Sequence, residues 1–166
     1  MKSPLIVLLF AASAFAQAPS GVATSACGPK DASFDVKLDK TQHTVAQPEP
    51  GKALVYFIQE NGGAASKIGL DGAWVGANKS SSYFAVPVEP GEHHVCADVR
   101  TPRGIPGVPM GFLHFTAEAG RVYYFDARVV YGHVPYLFLG AVDSDQAKYL
   151  IASYPLSVST PSMPKK

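Results

Sequence analysis

KIGLDGAWVGANKSSSYFAVPVEPGEHHVCADV, residues 67 to 99, is the stretch on which the fold turns. Asp71-Gly72 separates Lys67–Leu70 from Ala73–Val75 and is a two-residue hairpin signal, because both residues accept positive φ. Phe84, Val86 and Val88 then share one face of a strand. Pro90-Gly91 turns the chain, and Val95, Ala97 and Val99 share a face of the next strand. The same stretch carries Gly72, Gly76, three serines, two adjacent histidines and a cysteine, which raises the question of a site. A phosphate loop needs Lys and Ser/Thr directly after its second glycine, and no G-x-G-x-x-G or G-x-S-x-G occurs in the chain. The glycines are turn residues and the stretch is a run of short strands.

Working outward, Ala53–Gln59 (ALVYFIQ) is apolar on both alternating faces, the pattern of a central strand covered on each side. Upstream, Phe34–Leu38 alternates as a half-buried strand, and the prolines of Gln47–Gly51 keep that segment out of a sheet. Downstream, Thr101–Gly111 is irregular and rich in Pro and Gly. Leu113, Phe115 and Ala117 line one strand face, and Tyr123, Phe125, Ala127, Val129 and Tyr131 line the next, with another apolar run over Val134–Val142. At Asp143 the period changes. Asp143 with Gln146 resembles a capping box, and Ala147, Leu150, Ile151 and Tyr154 fall at helical spacing until Pro155 stops them. The expectation is one all-β sandwich domain over residues 33–154, closed by a short C-terminal helix at 144–154, with 155–166 a disordered tail.

The N-terminus reads as an export signal: Lys2, an apolar run over Leu5–Phe15, and Ala14-Phe15-Ala16 as the cleavage site. Residues 1–16 are then a signal peptide and 17–32 a flexible lead-in to an exported chain, periplasmic or secreted. A rival reading makes Cys27 a lipid-attachment cysteine, but Thr24 stands where the attachment box has Leu. Apolar residues are 47% and charged residues 16% of the 166, so the chain is globular; no apolar segment is long enough to span a bilayer as a helix. A net charge of +1 without a basic run before Lys165-Lys166 argues against a nucleic-acid or anionic-membrane surface. Two cysteines in an exported chain favour a Cys27–Cys96 disulfide, which closes a loop worth roughly 4 kcal/mol of chain entropy.

Among candidate sites, His93 and His94 are neighbours on a strand and point to opposite faces. His94 and His114 reach one outer face if their strands pair, and with Cys96 and Asp98 they resemble a zinc ligand set in type but not in spacing. Surface histidines are the plainer reading, and neither a metal nor a cofactor is expected. Asn78-Lys79-Ser80 matches a glycosylation pattern that is common by chance. Trp74, Tyr124 and Tyr136 have ambiguous phase and are the candidate ligand-contact aromatics, while core packing is the default for aromatics.

The pattern x-D-G-x-x-V-G … Y-x-x-x-x-V-x-P-G-x-H-x-V, met here by Asp71-Gly72, Gly76, Tyr83, Pro90-Gly91 and His93, resembles the PEGA-type β modules and an uncharacterised bacterial envelope family, domain of unknown function 2846. The resemblance spans Gly51 to Tyr124 and implies an immunoglobulin-like or PEGA-like sandwich at the cell envelope with no established activity. Many relatives in that family are lipoproteins, and the poor attachment box departs from them. Three functions stay open. The first is a non-catalytic module that binds or supports an envelope protein or glycan. The second is a carbohydrate- or peptide-binding module using exposed aromatics. A metal-dependent hydrolase ranks last, because no nucleophile, base and orienter converge. Oligomeric state is not legible.

Overall fold

The computed structural model of this chain describes residues 27–29, 32–60, 65–99 and 110–162. The segment expected to be a signal peptide, the expected lead-in before Cys27, most of the 101–111 stretch and the last four residues lie outside them.

Among the described residues ten strands and one helix follow in chain order: β1 Ser33–Asp39, β2 Ala53–Gln59, β3 Ser66–Leu70, β4 Ala73–Asn78, β5 Ser82–Val88, β6 Gly91–Val99, β7 Gly111–Ala117, β8 Val122–Val130, β9 Tyr136–Ala141, α1 Ser144–Ser153 and β10 Leu156–Ser162. They build a six-stranded sheet in the order β1-β10-β5-β2-β8-β9 and a four-stranded sheet in the order β4-β3-β6-β7. The fold is an all-β sandwich with one short helix. Asp71 and Gly72 hold φ of 49° and 86°, so the β3–β4 turn takes the twist-matching geometry its sequence demands. β2 runs parallel to β8, and of the strands between them in the chain, β3, β4, β6 and β7 form the second sheet while β5 pairs with β2 in the first.

β2 is buried at every residue because each of its faces has a cover. Val55 and Phe57 face the small sheet and join Ile68, Phe84, Val95 and Phe125 in the inter-sheet core. Leu54, Tyr56 and Ile58 face outward, where Ala147, Leu150 and Ile151 of α1 pack on them. Asp143 caps α1, its carboxylate accepting from the N–H groups of Asp145 and Gln146. The capping box is only half formed, because the Gln146 amide turns to Glu60 instead. The 40–48 segment is sewn to the same outer face: Ala46 N–H donates to the Tyr56 hydroxyl, and the Tyr83 hydroxyl donates to the Gln42 carbonyl.

The disordered tail is the expectation that fails. Leu156–Ser162 is a strand that pairs with β1 over seven residues and meets β5 at Leu156↔Tyr83. It carries Pro161 and few apolar residues, which hid it in the sequence. An edge-side strand tolerates proline, and the backbone of β1 supplies its ladder.

Candidate functional site

The Cys27–Cys96 disulfide crosses the outer face of the small sheet, with Cα atoms 5.6 Å apart, within the range a disulfide requires. Inward-facing Val95 and Ala97 flank Cys96, so its sulfur emerges opposite the core. The bond lays residues 27–29 on β3 and β4, where Gly69 lies between Cys96 and Trp74. Trp74 is consumed by this arrangement. Its indole N–H donates to the Pro29 carbonyl at 2.7 Å, the Lys67 ammonium lies 4.3 Å above its ring, and Gly28 leaves no room for a Cβ beside it. Lys67 also donates to the Ala32 carbonyl and pairs with Asp98 at 3.2 Å. The rival lipid attachment would need the Cys27 sulfur that the disulfide occupies.

Tyr124 is likewise no contact residue: it is 8% exposed and stacks on Tyr56 beneath α1, which sequence phase alone does not reveal. Burial pushes its phenol pKa up. Of the three aromatics, Tyr136 alone is open, at 51%. It belongs to a group, with Tyr131 at 70% and Val134 at 71%, carried on the β8–β9 hairpin. No family model, curated protein or solved structure matches this chain.

His93 is a clamp. Its Nδ1 lies 2.6 Å from an Asp71 carboxylate oxygen and its Nε2 lies 2.7 Å from the Glu89 carbonyl, while Asp71 also accepts from the His94 N–H. Both ring nitrogens face acceptors, so only the imidazolium donates to both. Desolvation opposes that charge, but the Asp71 and Glu89 bonds outweigh it and raise the pKa. His94 and His114 do meet on the outer face, in register across β6 and β7. The rest of the imagined zinc set is spent: Cys96 is in the disulfide and Asp98 is on Lys67. Asn78 is buried and donates to the Phe57 carbonyl, which removes it as a glycan acceptor.

Sequence reasoning missed a polar cluster at the end of the parallel β2–β8 pair. Asp126 is 1% exposed, Arg128 pairs with it at 2.6 Å and lies 3.6 Å from Glu60, and Glu60 accepts from the Gln146 amide at 3.0 Å. Arg128 also lies over the Phe138 ring at 5.1 Å. Burial drives the Asp126 pKa up to about 6; Arg128 and the Glu60 N–H resist, while the Glu60 charge adds to the rise. One Asp126 oxygen has no hydrogen-bond partner. The cluster ties β2, β8 and α1 together, and its signal in the sequence was a charged pair, Asp126 and Arg128, on one face of an apolar strand.

Proposed function

We propose that this chain is an exported, non-catalytic β-sandwich of the PEGA-like envelope type, which binds or supports a cell-envelope component through the tip of its β8–β9 hairpin. The observation that carries this reading is where the apolar surface went. Two cores absorb most large apolar side chains; of the eight that stay exposed among the described residues, Tyr131, Val134 and Tyr136 stand within six residues of one another, whereas others such as Phe112 and Tyr149 lie on other elements. Scattered single apolar residues on a surface need no explanation; a group of three on one hairpin favours a contact. Export is supported by the disulfide, which forms in oxidising compartments, and by the signal-like N-terminus. Among the described residues no helix is long and apolar enough to cross a membrane. A non-catalytic role is supported by the fate of the reactive groups, with both cysteines bonded, His93 clamped and Asp126 enclosed.

The carbohydrate-binding alternative retains Tyr136 from its original aromatic set. One experiment separates the two readings: co-sedimentation of the mature chain with purified peptidoglycan sacculi and, in parallel, with protein-bearing envelope fractions. The same is done for a Tyr131→Ser, Val134→Ser, Tyr136→Ser variant. Retention on envelope fractions that the triple variant loses supports the proposal, and retention on bare sacculi selects a glycan as the component. Equal retention of both chains overturns it.

A further inference from the structure

Two imidazoles, His94 on β6 and His114 on β7, face each other on the outer surface of the small sheet. The Asp71 N–H donates to the His94 carbonyl at 2.9 Å, and the His94 N–H donates to the Asp71 carboxylate at 2.8 Å. Both main-chain groups of His94 therefore point toward β3. The N–H and C=O of one residue leave an extended strand on the same side, so His94 offers β7 no ladder bond. His94↔His114 is thus the non-hydrogen-bonded kind of antiparallel pair, in which opposed side chains come closest. Their ring centroids are 6.3 Å apart. Glu92 lies two residues before His94 on the same face, with a carboxylate oxygen 3.7 Å from the His94 Nε2.

We propose that His94 and His114 chelate a borderline divalent metal ion, Zn²⁺ or Cu²⁺, with Glu92 as the third ligand and water completing the shell. Imidazole nitrogens select Zn and Cu over Ca and Mg, which prefer oxygen. Among the described residues no three ligating side chains converge as they stand. The two imidazoles hold the ion first, and the exposed Glu92 side chain swings onto it. Neighbouring donors do not compete, since Cys96, Asp98 and Asp71 are committed to the disulfide, Lys67 and His93 respectively. The disulfide in the same strand and the two-sided pairing of β6 hold the His94 backbone rigid, which preorganises the pair.

Isothermal titration of the mature chain with Zn²⁺ and, separately, Cu²⁺ tests this. One ion per chain is expected. His94→Gln and His114→Gln should each weaken binding at least tenfold, and Glu92→Gln by less. His133→Gln, an exposed histidine in the β8–β9 turn that is no part of the proposed ligand set, should leave it unchanged. The glutamine variants keep side-chain volume at exposed positions, and equal melting temperatures without metal verify their folding; a variant that melts early is replaced by the alanine version. Wild-type affinity in either His94 or His114 variant, no saturable binding at all, or equal loss on changing His133 overturns the site. None of these outcomes depends on the hairpin reading.

Discussion

Asp126 and His93 make the stability of the fold depend on pH in two separate windows. The Asp126 carboxyl is raised from 3.8 to about 6, so between those values the folded chain binds a proton that the unfolded chain has lost. Stability then falls as pH rises through that window. Two units correspond to roughly 3 kcal/mol for a group this enclosed. Asp126→Asn should flatten the change in melting temperature between about pH 4 and pH 6, and an unchanged slope would show that the charge is not buried as described. His93 acts higher. Its folded pKa is raised above 6.5, so its contribution is full below that value and disappears as pH rises through the folded pKa. His93→Gln should remove this second decline and leave the first, as read by thermal melts from about pH 4 through the pH range above 6.5. Asp39 and Asp143 run the other way: hydrogen bonds to Thr41 and to the α1 N–H groups lower their pKa values, so their contributions fade only as pH falls below about 3.8. At this scale the sequence showed which residues are ionisable but not which are enclosed. Asp126 and Asp143 are the same residue type, and only the layer above each separates them.

Among the elements, α1 and the N-terminal segment each rest on one local device. Asp143 satisfies two of the free N–H groups of α1. Asp143→Ala should lower stability by about 1 kcal/mol in denaturant melts. A loss beyond twice that would mean α1 docking to β2 collapses with its cap. The Cys27–Cys96 bond holds residues 27–29 on the small sheet and thereby the approach to β1. A Cys27→Ser, Cys96→Ser double variant should lose roughly 2–4 kcal/mol. Limited proteolysis should then cut within residues 27–40 before the sandwich itself; first cleavage elsewhere would show that the segment is held by its strand pairing alone. The β3–β4 hairpin and α1 were legible because turn chemistry and periodicity are local. β10 was not, because its reason to be extended is β1, more than a hundred residues away in the chain.

At the scale of the whole molecule, the large sheet is a mixed one whose two parallel contacts, β2 with β8 and β10 with β5, join distant parts of the chain. Among the described residues β10 is the strand partner of β1. Truncation after Pro155 should release β1 to protease and lower the melting temperature far more than the double cysteine variant does. A truncated chain that melts like the full one would make β10 an ornament of the edge. The sequence by itself determined the strand-and-turn rhythm, the doubly covered β2, the inward faces of β5, β6 and β7, that of β8 except for Tyr131, which lies past the strand end and is exposed, the cap of α1 and the cysteine pair. All of these follow from side-chain alternation, turn stereochemistry or an even cysteine count, which neighbouring residues and compartment suffice to set. Only the tertiary structure decided that Tyr124 is buried, that Trp74 is spent under Gly28, that Asp126 is enclosed, and that β10 belongs to the sheet. Each depends on what lies across a face: α1 over Tyr124, the disulfide-bound segment over Trp74, Glu60 and Arg128 around Asp126, and β1 beside β10. A sequence pattern states that a face exists; the packing of remote segments decides what covers it.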